Sequence, residues 1–202
     1  MLNRLCRWTL ALLIFSASHR AIAGNNQPTT VPTTAPATNV ATTDPALFSC
    51  PKFGFSIRPP LGWSQIQGAS DEAISLVPDG QTGAKDLSIV PCLKVVVPVL
   101  PLHIPGMIPV GSVANGYVND LRKQNPDLKV DERSVVSISG VSGRRVVTSY
   151  TQGKAAWRDV VICIVHKDRV FLILADCPVS DYSAVRAAFD GMVSSLKWID
   201  KP

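Results

Sequence analysis

The chain has 202 residues, 46% of them hydrophobic and 17% charged, with 20 Lys and Arg against 15 Asp and Glu for a formal net charge of +5. That length accommodates one domain with a substantial core once an N-terminal extension is set aside. The charge does not point to nucleic acid: basic residues come as scattered pairs, Arg122-Lys123 and Arg144-Arg145, with no basic stripe interleaved with aromatics.

At the N-terminus, Arg4 and Arg7 precede an apolar core from Trp8 to Ala17, and Ala21-Ile22-Ala23 forms a small-x-small step. This is the pattern of a cleavable signal peptide over residues 1–23, with the cut predicted after Ala23. The apolar run, about ten residues, falls short of the roughly 20 that span a bilayer. Gly24 would be the first mature residue and Cys6 lies too early, which argues against a lipid anchor. Cleavage removes Arg4, Arg7 and Arg20 and no acid, leaving 17 basic and 15 acidic side chains. The expected location is therefore secreted or periplasmic, with a mature domain that does not span a membrane.

Residues 24–47 are rich in Thr, Pro, Ala and Asn, with no charge before Asp44. Such a segment cannot bury enough apolar surface to offset its ordering entropy, so it reads as a disordered linker, either a spacer or an unconstrained tail. The folded domain is expected over residues 48–202.

Within it, Phe53 to Trp63 reads F-G-F-S-I-R-P-P-L-G-W, a short strand running into a turn and ending on a tryptophan expected to be substantially buried. Ala73 to Pro78 is a second extended segment, closed by P-D-G. Asp86 to Val97 is a long β-rich run, with Ile89, Leu93, Val95 and Val97 on one face and Val90, Cys92 and Val96 on the other. Pro91 lacks the ladder donor, which predicts an edge position or a bulge. Pro98 to Pro109 reads P-V-L-P-L-H-I-P-G-M-I-P and can be neither a helix nor a central strand.

A first helix is predicted from Ser112, as N-cap, to Asn125, with Val113, Tyr117 and Leu121 on one stripe. A meander follows: strands from Leu128 to Ser139, Arg144 to Thr151, Ala155 to His166 and Arg169 to Cys177, joined by turns at S-G-V-S-G, Q-G-K and H-K-D-R. The last two strands are apolar on both faces, so both faces must be covered. A second helix runs from Ser180 or Asp181 to Leu196, with Val185, Ala188, Phe189, Met192 and Leu196 as its docking stripe. The elements give an α+β domain, an antiparallel β-sheet meander sandwiched by helices.

The order of these elements carries a resemblance. The opening F-G-F-S-I-R-P-P-L-G-W, Ile138-Ser139-Gly140, the strand pair through Cys177, Asp181-Tyr182, Phe189 and S-L-K-W at Ser195 to Trp198 together resemble the PsbP/Mog-like superfamily. The resemblance implies helices flanking an antiparallel sheet, and a module that binds proteins or complexes rather than catalysing a reaction. A photosystem role, as in the PsbP branch, is implied by resemblance only, and nothing marks a thylakoid address. The apolar insertion at Pro98 to Pro109 and the cysteines depart from the pattern.

No catalytic constellation is legible. The domain has two histidines, His103 and His166; His166 reads as a solvated hairpin tip. Gly140-Val141-Ser142-Gly143 lacks the spacing of a nucleophile elbow, and Ser142 reads as a turn residue. Asp71-Glu72 and Asp131-Glu132 are adjacent on strands and point apart. No phosphate loop, dinucleotide fingerprint or metal-ligand spacing occurs, so no cofactor and no metal are expected.

Four cysteines remain after the leader: Cys50, Cys92, Cys163 and Cys177. In an exported chain an even number predicts disulfides, with buried free thiols as the other reading. If Lys167-Asp168 is the loop of the last hairpin, Cys163 lies opposite Leu172 and Cys177 opposite Arg158, on opposite faces. Any bridges would then join Cys50 or Cys92 to that hairpin.

The candidate binding loop is Pro98 to Pro109, where Leu100, Leu102, His103, Ile104, Met107 and Ile108 cannot all tuck beneath so proline-rich a segment. It reads as a lid over the sheet or as a surface that presents a fixed shape to a partner. The expected function is an exported, non-enzymatic binding or accessory module with an unknown protein partner in the envelope or outside the cell. The alternatives are a carrier of a small apolar ligand, held between sheet and loop, and a hydrolase.

Overall fold

The computed structural model describes residues 46–68, 71–84, 89–98 and 109–199, all within one compact unit, Asp44–Pro202. The Val- and Ile-rich runs of the C-terminal half form long strands because β-branched side chains pack well on a pleated surface. They are β6 (Lys129–Ile138), β7 (Val141–Gln152), β8 (Ala155–His166) and β9 (Arg169–Pro178). With β3 (Trp63–Ile66), β4 (Glu72–Pro78) and β5 (Cys92–Val96) they make one antiparallel sheet in the order β3-β4-β5-β9-β8-β7-β6. A second sheet, in the order β1-β2-β10, comprises β1 (Phe48–Cys50), β2 (Phe55–Ile57) and β10 (Lys197–Trp198).

One helix lies on each face of the large sheet. α1 (Val110–Gln124) seats Ala114, Tyr117 and Val118 among Val146, Tyr150, Trp157, Val161, Cys163, Leu172 and Leu174. α2 (Tyr182–Ser195), entered through a short 3-10 turn at Val179–Asp181, seats Val185, Phe189 and Met192 against Val160, Ile162, Ile164, Phe171 and Ile173, together with Phe55 and Ile57 of β2. Successive side chains of β8 alternate between the two clusters, Val160, Ile162 and Ile164 toward α2 and Val161 and Cys163 toward α1. The expected layers are therefore present: helix, antiparallel sheet, helix. Among the described residues, no helix is long and apolar enough to cross a membrane.

Several local expectations shift. The β6–β7 turn is two residues, Ser139 and Gly140, both at positive φ (47° and 82°), as a tight hairpin turn requires, so β7 begins at Val141 rather than Arg144. Ser142 is thus a strand residue opposite Ser137, not a turn residue. Ser112 does not cap α1: Pro109, with extended backbone at φ −66° and ψ 123°, caps the helix three residues earlier. Of the Asp86 to Val97 run only Cys92–Val96 is strand, and Ile89 is exposed rather than on the core face. Pro91 stands just before a strand flanked by β4 and β9, so its missing donor costs no rung and the strand is not an edge. Trp63 is half-buried, packed against the α2-side core from the edge strand β3, less enclosed than its size suggested.

Candidate functional site

The register of the sheet brings polar residues into one line on the α1 face. Thr148 of β7 lies opposite Asp159 of β8, Asp159 opposite Asp176 of β9, and Asp176 opposite Cys92 of β5. Directly opposed residues share a face, so this polar rung crosses four strands beneath α1. Asp159 is 2% exposed and Asp176 half-buried.

Two tyrosines hold the carboxyls. Tyr117 of α1 donates its hydroxyl to Asp159 Oδ2 at 2.8 Å, and Tyr150 of β7 donates to Asp176 Oδ1 at 3.0 Å. The Thr148 hydroxyl, on a residue with no exposed surface, has no hydrogen-bond partner. At the β5 end, Lys94 Nζ pairs with Glu72 Oε1 at 2.8 Å, and Ser75 Oγ donates to Glu72 Oε2.

Burial dominates the chemistry of this cluster. It pushes Asp176 up to about 6, opposed by the Tyr150 hydrogen bond and by Lys94. Burial and the facing charge of Asp176 raise Asp159 well above the ordinary carboxyl range, against the Tyr117 hydrogen bond. Tyr117 is raised too, by burial and then by Asp159. Burial lifts the Cys92 thiol to about 12, with Asp176 adding to the effect. The two facing carboxyls are closed over by the helix that supplies one of their donors.

The structure scatters the other sequence candidates. Leu100, Leu102, His103, Ile104, Met107 and Ile108 lie outside the described residues, as do the leader and nearly all of the linker. Asp131 accepts from Ser149 at 3.0 Å and pairs with Arg158 at 3.4 Å, while Glu132 accepts from Ser134 at 3.1 Å, so the two adjacent acids do point apart. His166 is not a solvated tip: it is half-buried and stacked on Trp198 with ring centres 4.1 Å apart. That stack borders an open cleft of about 430 Å³ with Ser139 and Lys197. A second cleft, about 260 Å³, lies between the start of α1 and β6–β7, lined by Asn115, Arg133 and Arg144.

The disulfide expectation is corrected: Cys50, Cys92, Cys163 and Cys177 are all free thiols. Cys163 does face Leu172 and Cys177 does face Arg158. Cys92 lies opposite Asp176, next to Cys177 in the chain, but Cys92 shares the α1 face with Asp176 and Cys177 points to the α2-side core, so alternation along β9 keeps the two thiols on opposite sides of the sheet. Cys92 and Cys163 share the α1 face but lie four residues apart along the strands, about 13 Å at 3.3 Å per residue, and two strands apart. Cys50 and Cys177 pack on the α2-side core, yet Arg169 donates to the Lys52 carbonyl near Cys50, and Cys177 is eight residues along β9, roughly 26 Å away. A disulfide needs Cα atoms within about 7 Å.

The residues missed by the sequence reading are Asp159 and Asp176. Their signal was available: an acid inside an otherwise apolar strand, in the same two-residue-loop register that places the cysteines.

This architecture, an antiparallel sheet between two helices, is a PsbP-like fold. It is similar to the solution structure of the cyanobacterial PsbP, CyanoP, of Synechocystis sp. PCC 6803, at 11% identity and TM-score 0.57 over 81% of this chain and 98% of that one. It is also similar to LpqN, described as involved in cell envelope biogenesis of Mycobacterium tuberculosis, at 15% identity and TM-score 0.55 over 72% and 83% of the two chains. No protein-family profile matches the chain, and no curated protein matches it in sequence.

Proposed function

We propose that the chain is an exported, non-enzymatic binding or accessory module that acts through protein–protein contacts, with the Pro98 to Pro109 segment as its contact surface. The observation that carries this reading is the fate of the polar rung. The side chains best suited to acid–base chemistry, Asp159 and Asp176, bond to the domain's own tyrosines, and Asp159 lies sealed under α1. They hold the fold together rather than facing a substrate. The leader pattern of residues 1–23 supports export to the periplasm or outside the cell. The likeness in fold to LpqN, described as involved in cell envelope biogenesis, is compatible with a module of the envelope.

Crosslinking of the tagged protein in its own host, followed by mass spectrometry of the envelope and secreted fractions, tests this. A protein recovered with the natural chain and lost when residues 99–108 are replaced by a Gly-Ser linker supports the loop as the contact surface. Equal recovery with both chains removes the loop from the proposal, and turnover in a hydrolase screen, lost on substituting a single side chain, removes the non-enzymatic reading.

A further inference from the structure

We propose that Asp159 and Asp176 form a one-proton latch: with α1 docked the facing carboxyls keep one proton between them, and its loss to water loosens α1 from the sheet. The inference stands on geometry and is independent of the binding-module reading.

The two residues are directly opposed on β8 and β9 and lie on the face that α1 covers. Each accepts one tyrosine hydroxyl, Asp159 from α1 and Asp176 from β7. The groups facing them from every packed element are few. α1 supplies Tyr117; its charged residues Asp120, Arg122 and Lys123 sit in its last turns, Asp120 paired with Lys123 at 2.6 Å. β7 supplies Tyr150, the Thr148 hydroxyl and, four residues along, Arg144 opposite Cys163. β8 adds Cys163, and β5 supplies Cys92 and Lys94, the latter held by Glu72 of β4. No cation among the described residues lies directly opposite either carboxyl in the ladder. Two ionised carboxylates facing each other in a buried site repel, and such a pair favours holding a single proton. Opening α1 lets water reach Asp159 and relieves the repulsion. In the closed state the proton sits on a carboxyl oxygen. In the transition to two carboxylates the O–H bond breaks and the proton goes to solvent.

The direction follows from linkage. Asp176 rises from an ordinary 3.8 to about 6 on burial, and Asp159 rises as well. The docked state therefore binds more protons than the opened one, and acidification favours docking. From about 6 down to about 4 the α1 opening constant falls close to tenfold per pH unit, on the order of 100-fold in all. Above that window the helix is held by its apolar contacts, the Tyr117 bond and the bond from Arg133 of β6 to Asn115.

Native-state hydrogen exchange of the full chain, read at the α1 amides from Ala114 to Leu121 and referenced to those of β8, measures this between pH 4.5 and 7.5. After division by intrinsic exchange rates, the α1 opening constant should rise with pH at a one-proton slope and flatten above the window. Asp159→Asn and Asp176→Asn together should abolish the slope while keeping α1 protected. Tyr117→Phe should raise opening at every pH and keep the slope, which separates the tether from the titration. An α1 opening constant that is flat across the range, or a slope unchanged in the double variant, overturns the latch. Should the double variant fail to fold, the infrared carboxyl band of the unaltered chain decides. A protonated-carboxyl stretch persisting above pH 5 supports the latch, and its absence overturns it.

Discussion

Tyr117 and Asp159, 42 residues apart in sequence, meet at 2.8 Å in a buried hydrogen bond between α1 and the sheet. Around it the contact is apolar, built from Ala114, Val118, Val161 and Leu172. A single directional bond in such a setting fixes how the helix sits, because a misplaced helix would leave a buried carboxyl without its donor.

Tyr117→Phe should therefore destabilise the domain by about 1–3 kcal/mol, the cost of leaving a buried acceptor unsatisfied. Replacing both residues, as Tyr117→Phe with Asp159→Val, should recover most of that loss, since neither half of the pair is left stranded. Urea denaturation of the four members of this cycle measures it. A double variant less stable than the two single effects combined would show that the pair matters through something other than its own hydrogen bond.

Two glycines should respond with opposite signs. Gly116 is exposed in the middle of α1, and a Cβ there meets nothing within 4 Å, so Gly116→Ala should stabilise by roughly 0.5–1 kcal/mol through helix propensity. Gly140 also has open space, but its φ of 82° is one that L side chains rarely adopt. Gly140→Ala should then destabilise by about 1–2 kcal/mol from backbone strain alone. Midpoints of thermal unfolding that move the same way for both would contradict the turn geometry.

How far the sequence carries is clearest on β8 and β9. Periodicity gave their ends within a residue, their two buried faces and the opposition of Cys163 to Leu172. The identical register pairs Asp159 with Asp176, a relation that neighbouring residues do not reveal because a sheet joins residues that lie far apart in the chain. The N-cap of α1 and the start of β7 each lie three residues before the expected position for a different reason: Ser112 and the serines and glycines from Ser139 onward have turn-forming chemistry at several positions, and packing selects one. Disulfides were expected from an even count of cysteines, which says nothing about distance. The contact loop is named by its composition alone.

Thiol chemistry gives a third test. Burial lifts Cys92, Cys163 and Cys177 to about 12, so at pH 8 the reactive thiolate is scarce at all three. Alkylation of the native protein at that pH should label Cys50, which is half-exposed, well ahead of the others, and unfolding should release all four. Peptide maps made without reductant should show no bridged pair. A Cys50 or Cys92 bridge to the C-terminal hairpin would require that the strand registers described above be wrong.

Phe189 offers a test of the opposite face. It has no exposed surface and is central to the α2 stripe, so Phe189→Ala should cost about 3–5 kcal/mol, a large part of the stability of a domain of this size. A loss below about 1 kcal/mol would mean that α2 is not the lid of this core.

The pairing of β2 with β10 sets an order on how the chain can mature. Trp198 lies opposite Phe55, Ile199 N–H donates to the Gly54 carbonyl at 2.9 Å, and Arg58 N–H donates to Ser195 Oγ at 2.8 Å. Phe55 and Ile57, among the first residues of the domain to be synthesised, are thus covered by residues among the last. A nascent chain lacking α2 and β10 has no means of enclosing one entire side of its sheet. The domain remains unfinished until its final helix and strand have been delivered.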